Sequence, residues 1–138
     1  MIVDVSSPAQ VDLLRHATQR FAGADQADAF TEAPATLAFV ALADADEVIG
    51  WCWGYHLVRP DAAPMLYLHE LEVAESHRRQ GHGHALIEAF IAAGRSAGAA
   101  RMFLSTAAAN EPARRLYDSM GGGLAAQGPT VNYWFALR

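Results

Sequence analysis

Apolar residues return at helical spacing through Val11, Leu14, Ala17 and Phe21, one buried face of a helix. Just ahead, Ser7-Pro8-Ala9-Gln10 combines a Ser N-cap, a Pro at the first helical position and a Gln placed for a capping box. Together they predict a helix over residues 8–22, with a short second helix over 25–32 closed by Pro34. The opening residues 2–5 read as a strand. From Thr36 the period changes. Residues 36–43 and 48–58 are apolar runs around Asp44-Ala45-Asp46, a hairpin. A proline-restricted loop leads to a third long strand over 65–73. A helix over 82–97 follows, its buried stripe marked by Leu86, Phe90 and Ala93. Residues 101–106 read as a strand and 110–120 as a helix with Pro112 in its first turn, stopped by Gly121-Gly122-Gly123. A last strand is predicted over 131–137. The order β-α-α-β-β-β-α-β-α-β predicts a mixed α/β sheet in a single domain spanning residues 1–138.

Composition narrows the classes. The 138 residues are 52% hydrophobic and 18% charged, enough to fill a core. No apolar run approaches the roughly 20 residues of a membrane span, and no signal segment is evident, so a soluble cytoplasmic protein is expected. Cys52 is the one cysteine, which excludes a disulfide framework or a cysteine-rich zinc site. The ten basic residues are all arginine. Residues 1–77 carry three Arg against twelve carboxylates, while 78–138 carry seven Arg against three. That asymmetry suits one cationic and one anionic small-molecule ligand. The pI near 5.6 and the lack of a basic stripe argue against nucleic acid.

The chemistry concentrates where the third long strand runs through Leu71-Glu72-Val73 into Arg78-Arg79-Gln80-Gly81-His82-Gly83-His84 and a helix start. Two glycines at i and i+2, opening a helix, can turn backbone amides onto an anion, helped by the helix dipole. The same glycines would equally serve a tight turn needing positive φ. A Walker A loop needs lysine, which the chain lacks, and a dinucleotide fingerprint needs Gly or Ala where Leu86 stands.

Arg78-x-x-Gly81-x-Gly83 behind Leu-Glu-Val resembles the Arg/Gln-x-x-Gly-x-Gly/Ala motif of the GNAT acyl-CoA N-acetyltransferases. Asn110-x-x-Ala113-x-x-x-Tyr117 resembles that family's second motif helix, and the element order fits over essentially the whole chain. One departure is Gly122, where relatives often carry an aromatic. Within the family, the segment from Tyr67 to Gly81 is similar to aminoglycoside 3-N-acetyltransferases, which carry Asp at the position of Glu70. The resemblance implies acetyl-CoA as co-substrate and a small-molecule amine acceptor, an aminoglycoside-like polyamine being the leading one. It implies that backbone groups of Leu71, Glu72 and Val73 pair with the pantetheine arm and that the segment from Arg78 to His84 holds the pyrophosphate. Asn110, Ala113 and Tyr117 would then lie near the pantetheine and sulfur. The alternatives are a protein N-terminus, lysine or other small amine as acceptor, or a CoA-binding regulatory domain without chemistry.

An ammonium acceptor must lose a proton before attack. Glu70 is the candidate base, and Tyr117 the candidate acid for the departing thiolate. Strand alternation puts Glu70 and Glu72 on one face, where they attract a cation and raise one another's pKa. His69 is predicted to face away from them. His77, His82 and His84 lack a zinc spacing and read as loop residues, so no metal is expected. Trp51, Trp53 and Tyr55 alternate as a core or acceptor wall, with Cys52 opposite and no acyl-cysteine step. Apolar residues such as Trp134 and Phe135 would permit a homodimer.

Overall fold

The computed structural model describes every residue except Gln127 and Arg138. The chain divides into two compact units, Met1–Thr106 and Ala107–Arg138. The first unit contains strand β1 (Ile2–Asp4), helices α1 (Val11–Phe21) and α2 (Ala27–Glu32), and strands β2 (Thr36–Leu42), β3 (Val48–Leu57) and β4 (Met65–Val73). Helix α3 (His82–Ser96) and strand β5 (Arg101–Phe103) complete it. The strands form one sheet in chain order, antiparallel from β1 to β4, with β5 parallel to β4.

Helices cover both faces. On one side α1 and α2 pack over Ala38, Val40, Val48 and Trp51, with Leu14 and Ala17 buried beneath the helix stripe. On the other, Leu86, Ile87 and Phe90 of α3 are buried against the strands. The predicted stripe of α3 holds at Leu86 and Phe90, but its C-terminal position is Gly94 rather than Ala93. A Cβ at Gly94 would come within 2.6 Å of Leu66 Cδ2, so its absence sets how closely α3 approaches β4. Arg15 ties α1 to α2, its guanidinium 2.9 Å from each of Asp12, Asp25 and Asp28.

Two local expectations differ. Ser7 makes no side-chain cap; residues Pro8–Gln10 form a 3-10 turn in which Gln10 N–H donates to the Ser7 carbonyl, so the backbone satisfies the group the hydroxyl was expected to meet. The last predicted strand, residues 131–137, forms no ladder among the described residues, and Trp134 is 97% exposed. Apolar alternation marks a strand only where a neighbour takes up its N–H and C=O groups. The second unit contains helix α4 (Glu111–Ser119), whose N-cap is Asn110: its Oδ1 accepts from Ala113 N–H at 3.2 Å.

Candidate active site

Strand β4 is the spine of the site. Against β3 it pairs Trp51 with Glu72 and Trp53 with Glu70, then Gly54 with Leu68, leaving His69 as an extra residue. This is a β-bulge. Gly54 permits it: a Cβ there would collide with the carbonyl oxygen of Tyr67. The bulge corrects the expectation for His69. Instead of facing away, its imidazole stacks on Trp53, centroids 4.4 Å apart and planes 17° from parallel, on the face that also carries Glu70 and Glu72.

Among the described residues no strand lies beside the far edge of β4 beyond Tyr67, because β5 pairs only with Met65–Tyr67. Ala74 N–H donates to the Ile49 carbonyl at 2.7 Å. The alternation of an antiparallel ladder then turns the backbone groups of Glu70 and Glu72 toward β3 and those of Leu71 and Val73 toward the open edge. Part of that edge is already used. Arg78 Nε donates to the Val73 carbonyl at 3.0 Å, fastening the loop back onto the strand. Arg78 therefore acts here as a strap.

The loop itself makes a turn at Glu75–His77, then passes through two left-handed residues, Arg79 at φ +63° and Gly81 at φ +86°. Gly81 is the N-cap of α3, and no side chain caps that helix. The amides of its first turn, through His82, Gly83 and His84, thus face outward with the positive end of the dipole. A Cβ at Gly81 would meet nothing within 4 Å, so the space above it is open. This is a cradle an oxyanion group of a diphosphate fits, and Gln80 and Arg79 stand exposed at its margin. The histidines do not converge. His84 Nδ1 pairs with Glu88 at 3.0 Å, His77 bonds Ser76, and the rings of His77 and His82 are 6.3 Å apart.

Electrostatically Glu70 stands apart. Partial burial pushes its carboxyl above the usual carboxylate range, and Glu72 adds to the rise; His69 and the Leu71 N–H pull the other way. A carboxylate raised in this way beside an open strand edge is a better proton acceptor than an ordinary one. Cys52 is buried on the opposite face, its Sγ 3.7 Å from the Leu86 carbonyl, and burial pushes its thiol up to about 12. It is no nucleophile. Trp51 is core, stacked on Phe21, whereas Trp53 and Tyr55 are half-buried.

The first unit thus brings together Glu70, Leu71, Glu72, Val73 and the segment from Arg78 to His84. Asn110, Ala113 and Tyr117 belong to α4 in the second unit; Asn110 is a helix cap there, and Tyr117 is half-buried. Sequence alternation put His69 on the wrong face of β4. The signal was Gly54, an isolated glycine inside an apolar strand, which marks a bulge or a close backbone approach.

No curated protein matches the sequence. The acetyltransferase (GNAT) family model matches residues 8–121. Among solved structures, an aminoglycoside acetyltransferase from an uncultured soil metagenomic sample has a TM-score of 0.82 at 22% identity, covering 100% of this chain and 98% of that one. The aminoglycoside N-acetyltransferase AAC(6')-Iy in complex with CoA has a TM-score of 0.76 at 20% identity, with 99% of each chain covered. A ribosomal-protein-alanine N-acetyltransferase from Brucella melitensis biovar Abortus 2308 has a TM-score of 0.75 at 19% identity over 98% of each. At these identities the likeness is one of fold.

Proposed function

The chain belongs to the acetyltransferase (GNAT) family, and from that premise we propose that it transfers the acetyl group of acetyl-CoA directly to a primary amine of a small molecule. Acetyl-CoA, when bound, supplies the thioester carbonyl. Backbone groups of Leu71 and Val73 hold the pantetheine arm along the open edge of β4. The amides from Arg79 to His84 hold the diphosphate at the uncapped start of α3. Glu70 accepts a proton from the bound ammonium, with Glu72 beside it to attract the cation. The freed nitrogen lone pair forms the new C–N bond as the C–S bond breaks, and Tyr117 gives its hydroxyl proton to the departing sulfur. The proton the acylated nitrogen still has to lose returns the Tyr117 phenolate to its hydroxyl form, leaving the neutral amide.

The observation that carries this reading is Glu70, a carboxyl kept above its ordinary range on the strand that leads into the cradle. The aminoglycoside-like acceptor draws support from the folds it resembles and from the acidic first half. That half offers less loose negative charge than its composition promises, since Arg15 takes up Asp12, Asp25 and Asp28. The test is thiol release from acetyl-CoA across a panel of amines. Release with at least one amine, lost in Glu70→Gln, is expected; CoA binding with no release from any amine would instead favour a regulatory domain.

A further inference from the structure

Between β3 and the open edge lies a surface that acetyl transfer alone does not require. The His69 imidazole lies flat on Trp53 and is itself exposed, so one face of the stack is covered by indole and the other is open. Tyr67 meets His69 edge-on at 5.7 Å and stacks on Phe103 at 5.9 Å, and Phe103 is 39% exposed. These rings form a continuous shelf on the sheet face of Glu70 and Glu72. Exposed planar side chains in contact with one another are costly to leave in water, and a flat partner laid on them recovers apolar area and ring-stacking energy.

Charge narrows the occupant. The two carboxylates on this face match one ammonium group. Of the other acids on α1, α2 and the connection between them, Asp12, Asp25 and Asp28 already face Arg15, which leaves a polycation one further carboxylate there, the exposed Glu32. We infer that the His69–Trp53 stack, with Tyr67 and Phe103 beside it, is the acceptor subsite, and that it selects a primary amine carried on an aromatic ring, with Glu70 and Glu72 receiving the ammonium end. This rests on the acetyltransferase reading and names its substrate class.

The test compares 2-phenylethylamine, butylamine, spermidine and kanamycin as acceptors, followed by thiol release and, separately, by calorimetric binding. Phenylethylamine is expected to give the highest kcat/KM and the tightest binding. In His69→Ala its preference over butylamine falls about three- to tenfold, the size of one ring contact, and His69→Phe, which restores a flat plane, recovers it. His69 is exposed, so neither change threatens folding. Equal or better kcat/KM with butylamine, spermidine or kanamycin would overturn the shelf while leaving acetyl transfer standing. A preference that persists in His69→Ala would do the same. Tight phenylethylamine binding with no thiol release from any amine would uphold the shelf and sink the acetyltransferase reading.

Discussion

Glu70 works against the fold that holds it. Its carboxyl is raised by burial first and Glu72 second, so the folded protein prefers it protonated. The sign follows: stability contributed by this preference is complete below the ordinary carboxylate range and is lost as pH rises through the elevated value. Glu70→Gln should therefore unfold at a higher temperature than wild type at pH 7.5, an advantage that shrinks toward about pH 4, measurable by calorimetry. Activity moves oppositely. The acid limb of kcat/KM in the wild type should lie above the usual carboxylate range and vanish in Glu70→Gln; an unchanged pH–rate profile would remove Glu70 from the role. Gly81 is a second residue with a single purpose. Its φ of +86° costs an L-residue roughly 1–2 kcal/mol, yet nothing in the protein would touch a Cβ there. Gly81→Val should thus still fold while losing CoA affinity at least about tenfold, because the branched side chain fills the space the diphosphate needs; affinity retained in calorimetry would contradict the cradle.

At the scale of elements, close approach decides more than propensity. Helix α3 reaches β4 because Gly94 has no side chain where Leu66 sits. Gly94→Ala should destabilise the first unit by about 1–3 kcal/mol through overpacking, seen as a lower denaturant midpoint, and Leu66→Val in the same chain should return part of it. In the second unit, Asn110→Ala removes the α4 cap and should cost about 1 kcal/mol locally, read as faster amide exchange at Ala113. What the chain's periodicity made legible follows the same division. Helices α1 and α3, the β2–β3 hairpin, the Leu71–Val73 spine and the glycine loop were readable, because each follows from local spacing and turn chemistry. The turned imidazole of His69 was not, since a bulge shifts alternation by one residue without changing composition. Nor was the fate of residues 131–137: their apolar alternation says nothing about whether a neighbour exists to pair with. Nor was the strap made by Arg78, because a sequence does not show which carbonyl a long side chain reaches.

For the molecule as a whole, charge and ligand set the balance. The acidic first half is partly settled within itself, through Arg15 with three aspartates and Arg20 with Glu47. An anionic donor bound at a helix start that lacks its own cap supplies contacts the unliganded chain does not make. CoA at about 100 times its Kd should add about 2.7 kcal/mol and raise the unfolding midpoint by roughly 5–10 °C. A midpoint indifferent to CoA in a thermal melt would detach the cradle from the donor.

The surplus residue in β4 also makes that strand unequally sensitive to losing an amino acid. Removing His69 would bring Leu68 and Glu70 opposite Gly54 and Trp53 as ordinary consecutive partners, so both carboxylates would keep their side of the sheet. Deleting Leu68 instead would put His69 opposite Gly54, pressing an imidazole into the apolar layer under α3 where a buried leucine had packed. A chain shortened by that one histidine should stay folded and turn over amines with little regard for their shape.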